Sequence, residues 1–459
     1  MRVLMVQTPS VEGITQERVY PIGIVSLATH LKGSGHEVEL LDMNLELDPY
    51  GALKQRLTSF QPEAVGLSLR NIDPLANKTS SLVPPFVVVV RLIAALRPQA
   101  WLIAGGTGFS LFPERLLLEL PEIHFGIVGE AERSYPALLA YLTGRGAAEN
   151  KSNSENGRPQ EGLPPIKGLC MREGREVRVM PPARDYDMMA DYVPPDRGIL
   201  DPAVYAGINN YVPAVGIETK RGCSVGCTYC VYPRLQGSKL RCRLPVAVVD
   251  EVELLHKEYG IACFHFNDPV LNTANGHLEE ICRELLRRKL KVRWDGFMRE
   301  DQLDAEKVAL YEKAGCECFS FSPDGLCQES LDVLGKKLTE EDVLKAAGLV
   351  AQSDVMSVYH FMVNVPGETE KTCEKGIRML EQIYELHSRK KNLGTVVLNN
   401  IRILPGTPIE AMARAEGVIG PDTDLLYPVY YNPKPFDTFR YRLETLQLCK
   451  NIFMWQDVM

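Results

Sequence analysis

Through residues 1 to about 143, short β-branched runs alternate with helical patterns, the form a parallel α/β sheet takes in sequence. Predicted strands are Arg2 to Gln7, Glu37 to Asp42, Ala64 to Ser68, Trp101 to Ala104 and His124 to Val128. Between them helical patterns start near Gly23, Gly51, Pro84 and Pro113, and a last one runs from Ala131 to Leu142. The loops after these strands carry glycine and polar residues, and open α/β sheets bind ligands at their carboxyl ends. A ligand-binding module is predicted for 1–143.

Residues 144–164 hold almost no hydrophobe and many breakers, so they read as a loop or linker. Ile166 to Val179 has the pattern of a hairpin turning at Glu173 and Gly174, and a Pro-rich crossing segment follows to about Pro213. Strand and helix patterns then alternate again over 215–411, with strands at Gly216 to Thr219, Cys263 to Asn267, Val292 to Gly296, Cys318 to Ser322, Met356 to Val363 and Thr395 to Arg402. Six βα units of this kind describe all or part of a β/α barrel. The remainder, 412–459, contains the Tyr-rich stretch Leu426 to Tyr431 and an amphipathic pattern from Phe436 to Met454, read as a helix packing over the barrel mouth.

A chain of 459 residues exceeds one ordinary core, in keeping with two or three domains. Net charge is −8, which gives no global attraction to nucleic acid or anionic membrane. The run Val83 to Arg91 is apolar but far too short to span a bilayer, and no transmembrane segment is predicted. Most of the 12 cysteines are scattered through apolar stretches, which suits a reducing cytoplasm better than a disulfide framework.

One group of cysteines is clustered. In 220–231, KRGCSVGCTYCV, Cys223, Cys227 and Cys230 can hold a [4Fe–4S] cluster and leave one iron without a protein ligand. A zinc knuckle with Cys242 as fourth ligand, or inert buried thiols, are the alternatives. Gly222 and Gly226 lend backbone freedom, and the aromatic Tyr229 precedes the last ligand. With these details the segment resembles the radical S-adenosylmethionine (SAM) superfamily, whose signature is Cys-x3-Cys-x-aromatic-Cys. The resemblance implies a partial (β/α)6 barrel in which SAM fills the open iron and is cleaved by one electron from the cluster.

Ahead of the barrel, several loops together resemble the cobalamin-binding domain of B12-dependent radical SAM enzymes. They are Tyr20, Pro21 and Gly23; Leu41 to Asn44; Gly66 to Asp73, which includes Arg70; Gly105, Gly106, Gly108, Phe109 and Ser110; and Gly129 with Glu130. Alone, such glycines read equally as tight turns of a doubly wound domain; in the resemblance they let backbone approach the cofactor. Domains that bind cobalt through histidine carry Asp-x-His-x-x-Gly, whereas Asp42, Asn44 and Leu47 occupy those positions here. No protein imidazole is expected on cobalt. Arg70 or a loosely held water is expected beneath the corrin, since a guanidinium has no lone pair to give the metal; the bland alternative pairs Arg70 with Asp73.

The resemblance further implies side chains around SAM. Tyr229, Asp268, Arg299, Ser322, Asn364 and Arg402 are the candidates, each with an ordinary structural alternative. Asp268 also suits a turn before Pro269, and Arg299 suits an ion pair with Glu300 or Asp301. Ser320 and Ser322 alternate with Phe319 and Phe321, which puts both hydroxyls on one face. Asn364 interrupts an apolar run, and Arg402 is a charge inside a strand, which calls for an anionic ligand or partner.

The family's cofactors, a [4Fe–4S] cluster, SAM and cobalamin, imply a methyltransferase acting on a carbon of a small molecule, lipid or peptide, supplied with electrons by a flavodoxin or ferredoxin. Polar methylation without SAM cleavage, and rearrangement or cyclisation, are variants of that reading. A non-enzymatic cobalamin sensor or carrier is the rival from another class. The aromatic tail, Tyr427, Tyr430, Tyr431 and Phe436, either covers an aromatic or lipid substrate or packs a terminal domain.

Overall fold

The computed structural model describes residues 1–9, 18–73, 80–146, 165–206, 212–432, 442 and 452–454. They divide into two compact units that part after Val204.

Strands β1 (Arg2–Gln7), β2 (Glu37–Asp42), β3 (Ala64–Ser68), β4 (Trp101–Gly105) and β5 (Phe125–Ile127) form the parallel part of the first unit. Helices α1 (Ile22–Gly33), α2 (Pro49–Phe60), α3 (Val83–Leu96), α4 (Thr107–Leu111), α5 (Pro113–Glu119) and α6 (Ser134–Gly146) connect or flank them. Val3, Leu4, Val6, Ala64, Val65 and Leu102 are at most 1% exposed, so these strands read as unbroken apolar runs because both sheet faces are covered. At the start of α2, Asp48 accepts the Gly51 amide and Pro49 supplies a preset φ. The hairpin β6 (Leu169–Glu173) and β7 (Glu176–Val179) forms as predicted and adds antiparallel to the edge of β5. The resulting order is β2-β1-β3-β4-β5-β6-β7. The Pro-rich segment packs on this unit too: Asp196 bonds Lys32 and Thr29, and Tyr186 bonds His30. Most of the linker read at 144–164 lies outside the described residues.

In the second unit β8 (Gly216–Ile217), β11 (Cys263–Phe266), β12 (Arg293–Met298), β13 (Cys316–Asp324), β14 (Met356–Val363) and β15 (Leu393–Arg402) pair in parallel in that order, an open partial barrel. A separate two-residue ribbon, β9 (Lys220–Arg221) with β10 (Arg241–Cys242), is antiparallel. Helices α7 (Tyr232–Gln236), α8 (Pro245–Tyr259), α9 (His277–Arg287), α10 (Ala305–Lys313), α11 (Gln328–Val333), α12 (Glu340–Val350), α13 (Glu370–Ser388) and α14 (Pro408–Ala415) follow in chain order. The predicted strand Gly216 to Thr219 stops at Ile217, because the Thr219 and Lys220 amides donate to the Asp268 carboxylate instead of to a strand.

The terminal segment departs from expectation. β16 (Tyr430–Tyr431) runs antiparallel to β15, burying both tyrosines, while Tyr427 stays exposed. β17 (Ile452–Met454) pairs parallel with β15, so the helix read over Phe436 to Met454 does not include its last three residues; nearly all the rest of it, Phe436 included, lies outside the described residues. Among the described residues no helix is long and apolar enough to cross a membrane.

Candidate functional site

The three cysteines follow β9 at the carboxyl edge of the parallel strands, and their loop is tied down on every side. Gly222 has φ +97°, and a Cβ there would lie 2.2 Å from the Lys239 carbonyl oxygen, so the turn into Cys223 requires glycine. The Cys223 amide donates to the Gly237 carbonyl at 3.1 Å and the Cys230 amide to the Cys227 carbonyl at 3.1 Å. Between the last two ligands, Thr228 donates its amide to the Leu334 carbonyl and its hydroxyl to the Val333 carbonyl, and accepts the Ile409 amide.

Cys223 is buried, Cys227 and Cys230 partly so, and negative charge on any of these sulfurs is felt by the others. Burial pushes the Cys230 thiol up to about 12 and raises Cys227 as well, so an iron centre is what would hold them as thiolates. Among the described residues no three His, Cys, Asp or Glu side chains converge on a point that suits a single ion. Cys242, the candidate fourth zinc ligand, instead lies on β10 in the fields of Lys220 and Asp268. The donor set thus fits a multi-iron cluster held by three thiolates.

Asp268 is fully engaged. Its Oδ1 accepts the Thr219 and Lys220 amides, and its Oδ2 accepts the Thr219 hydroxyl and the Lys220 ammonium. Both side chains of the ion pair have no solvent exposure, so Asp268 braces the root of the cysteine loop and has no oxygen edge left for a ligand amine. Arg299 likewise spends its guanidinium on Asp301 and the Lys337 carbonyl. Arg402 donates to the Ile403, Leu425 and Val429 carbonyls; the partner inferred for this charge includes the neutral backbone of the terminal segment.

Tyr229 and Asn364 make fewer or more open contacts, and Ser322 lies on β13 with Ser320. The Tyr229 hydroxyl donates to Asp324, which also accepts Lys336 Nζ at 2.7 Å. Ser320 registers with Phe297 and Val358, and Phe319 and Phe321 are fully buried on the other face, as the alternation predicts. The same face carries the His265–Asp295 pair, 2.7 Å between Nδ1 and Oδ1, with Cys318 beside Asp295 in register. Asn364 sits at the end of β14 with φ +56°, donates to Asn400, and keeps its buried Oδ1 without a partner in the protein. A buried acceptor left unpaired is costly, and a SAM amine or hydroxyl would satisfy it. Asp324, Lys336 and the His265–Asp295 pair escaped sequence reading; only Asp324, a charge ending an apolar strand, gave any local signal.

In the first unit the order β2-β1-β3-β4-β5 places the topological switch between β1 and β3, where doubly wound sheets bind ligands. Gly106, with φ +100°, would set a Cβ 2.5 Å from the Leu69 carbonyl oxygen, and a Cβ on Gly108 would lie 2.9 Å from the Asn71 carbonyl carbon. These two glycines therefore serve contact between the loops after β4 and β3, not ligand approach alone. Phe109 is fully buried beneath Gly126, and the Ser110 hydroxyl links the Gly106 carbonyl to the Gly129 amide. Gly105 packs loosely on Ile127, and Glu130 is buried beside Gly129. Tyr20 is buried under Arg197 and donates to Leu200, and Pro21 caps α1. Gly23, by contrast, is exposed, with no atom within 4 Å of where a Cβ would stand, and Arg70 is exposed on the β3 loop. Asn44 is locked by Asp42 and the Thr8 carbonyl. Open room at Gly23 beside a switch point, with no imidazole at Asn44, fits cobalamin bound without a histidine ligand.

A doubly wound ligand-binding sheet and a partial barrel with a three-thiol loop define a two-domain enzyme that binds its cofactors in both units. Family models agree: residues 15–139 match the B12 binding domain and residues 217–380 the radical SAM superfamily. The chain belongs to the B12-binding radical SAM family, and its cofactors are a [4Fe–4S] cluster, SAM and cobalamin. It is 23% identical over 389 residues to an uncharacterized methyltransferase of Pyrococcus horikoshii, covering 83% of this chain and 78% of that one. It is 25% identical over 374 residues to the anaerobic magnesium-protoporphyrin IX monomethyl ester cyclase of Cereibacter sphaeroides, covering 78% of this chain but only 56% of the cyclase. The solved methyltransferase TsrM of Kitasatospora setae, with tryptophan and a SAM analogue bound, shares the fold at a TM-score of 0.71 and 23% identity, over 90% of this chain and 76% of that one.

Proposed function

We propose that the chain is a cobalamin-dependent radical SAM methyltransferase that places a methyl group on a carbon of a small molecule, lipid or peptide. The observation that carries this reading is the joining, in one chain, of a three-cysteine loop at a barrel's carboxyl edge to a switch-point sheet whose β2 loop presents Asn44 in place of histidine. When bound, the cluster with SAM supplies one-electron chemistry and cobalamin supplies a methyl carrier.

The chain's own residues do the rest. Cys223, Cys227 and Cys230 would hold the cluster and leave room for SAM on it, while Asn364 and Ser322 present polar atoms at the ends of neighbouring strands. Phe297 and His360 pack on each other along the inner face and screen it from water. Burial lowers His360 to about 4, so this wall stays neutral at physiological pH. Arg70, or a water, would face the underside of a bound corrin, where Asn44 stands in place of an imidazole. The named methyltransferase relatives support this reading, and their substrates leave the one acted on here to be found. A flavodoxin or ferredoxin supplies the electrons, and the cytoplasm is the proposed location.

The cyclase relative favours a second reading, ring formation or rearrangement on the same scaffold. Anaerobic reconstitution with SAM, cobalamin and a reductant separates the two, with candidate substrates drawn from a metabolite and lipid comparison of a deletion strain and its parent. S-Adenosylhomocysteine formed together with 5′-deoxyadenosine supports radical methylation, S-adenosylhomocysteine alone the polar route, and 5′-deoxyadenosine alone the rearrangement. If a Cys227→Ala protein kept full biological activity, the sensor or carrier reading would replace all three.

A further inference from the structure

The turn Val333 to Lys337, which follows α11, lies against the cysteine loop although a hundred residues separate them. Thr228 bonds the Val333 and Leu334 carbonyls, and a Cβ on Gly335 would touch the Thr228 methyl and the Gly226 carbonyl at 3.4 and 3.5 Å. Three residues here adopt positive φ: Asp324 at +63°, Gly335 at +66° and Lys337 at +54°. Two of the three are not glycine, and such strain persists only where surrounding contacts over-determine it. A register shift between Phe321 and Asp324 re-aims the end of β13 at the loop.

This geometry delivers Lys336. Its ammonium is buried, 2.7 Å from Asp324 and 3.5 Å from the Tyr229 hydroxyl. Lys336 follows directly on Gly335, which abuts Gly226 and Thr228 within the cysteine loop. Burial by itself would lower the Lys336 ammonium, but the carboxylate of Asp324, with Glu300 beyond it, holds it above its usual value, so it stays charged. A fixed cation inside a low-dielectric wall favours the more negative of two redox states beside it.

We propose that Lys336 is a positioning residue for the iron–sulfur site, clamped by Asp324 and Tyr229, and that its charge raises the potential at which the cluster takes up an electron. The inference rests on the cluster occupying Cys223, Cys227 and Cys230, and wild-type iron and sulfide content tests that premise by itself. With the wild-type chain loaded, an EPR-monitored redox titration of the SAM-free enzyme tests the proposal. Lys336→Met shifts the midpoint potential down, Asp324→Asn shifts it up, and Lys336→Arg restores it near the wild-type value. A merely structural pair gives shifts of one sign or none, and either result overturns the proposal. Should Lys336→Met not load, Asp324→Asn decides alone, an upward shift supporting the proposal and any other overturning it. Loss of the cluster from both single variants overturns it as well, and assigns the pair to fold maintenance.

Discussion

Lys220 Nζ lies 2.8 Å from Asp268 Oδ2, and neither side chain keeps any exposure to solvent. The ammonium also donates to the Leu271 carbonyl, so its donors are directed while β9 is pinned to the loop after β11. Removing one partner of such a pair leaves an uncompensated buried charge. Asp268→Ala is therefore expected to destabilise the second unit by roughly 3–5 kcal/mol, and replacing both partners with apolar residues to cost less, the remaining loss coming from the Thr219 and Lys220 amides left without their acceptor. Thermal unfolding of D268A and of the D268L/K220M double variant checks this; equal losses in the two would contradict it.

The thiols divide by role. Alanine at Cys223, Cys227 or Cys230 is expected to abolish cluster loading, and Cys242→Ala to leave it intact, since Cys242 lies beside Lys220 and Asp268. Iron and sulfide analysis after reconstitution reads this directly. A C242A chain that loses its metal would revive the zinc alternative.

Gly106→Ala forces both a positive φ and a 2.5 Å approach to the Leu69 carbonyl oxygen. The strain is on the order of 1–3 kcal/mol and displaces the β3 loop that carries Arg70. Cobalamin affinity is expected to fall at least tenfold in a spectroscopic titration, with Gly23→Ala as a contrast, because open space there means any loss comes from the ligand and not from the fold.

Asn44 predicts an EPR signature. The cob(II)alamin spectrum is expected to lack nitrogen superhyperfine splitting from an axial ligand. Its presence would show that a nitrogen from elsewhere in the protein or from the cofactor's own base reaches cobalt.

Burial raises the Glu368 carboxyl to about 7, opposed only by the Asn364 amide that donates to it. The folded state thus binds this proton more tightly than the unfolded one. The associated stability is fully present below about pH 4.5 and is lost as pH rises through about 7. His360, lowered by burial to about 4, acts on the other flank: its contribution is present above about 6.5 and is lost as pH falls through 4. Denaturant midpoints across this range should drop less steeply toward alkaline pH in Glu368→Gln than in the wild-type chain. Parallel slopes for the two would refute the assignment.

The central strands of the first unit were legible almost to the residue because burial on both faces leaves a continuous apolar run. His124 to Val128 overshot β5 by one residue at each end: the His124 amide still donates to the Leu102 carbonyl of β4, while the Val128 amide turns to the Gly168 carbonyl. The β9–β10 ribbon was not legible: two residues a side show no period, and nothing in the run marks Lys220 and Arg221 as buried charges. Asp268 was read as a SAM contact or a turn residue and Arg402 as a charge calling for an anionic ligand or partner; the partners the structure shows include a lysine and two amides for Asp268 and backbone carbonyls for Arg402, which sequence spacing does not reveal. Tyr229, Asp324 and Lys336 meet only in three dimensions.

Thr228 takes hydrogen bonds from or gives them to Val333, Leu334 and Ile409, far downstream of the cysteines it separates. During synthesis the loop therefore lacks part of its final bonding until the ribosome has made Ile409. The shape that would receive iron is completed late, by residues from nearly the far end of the barrel.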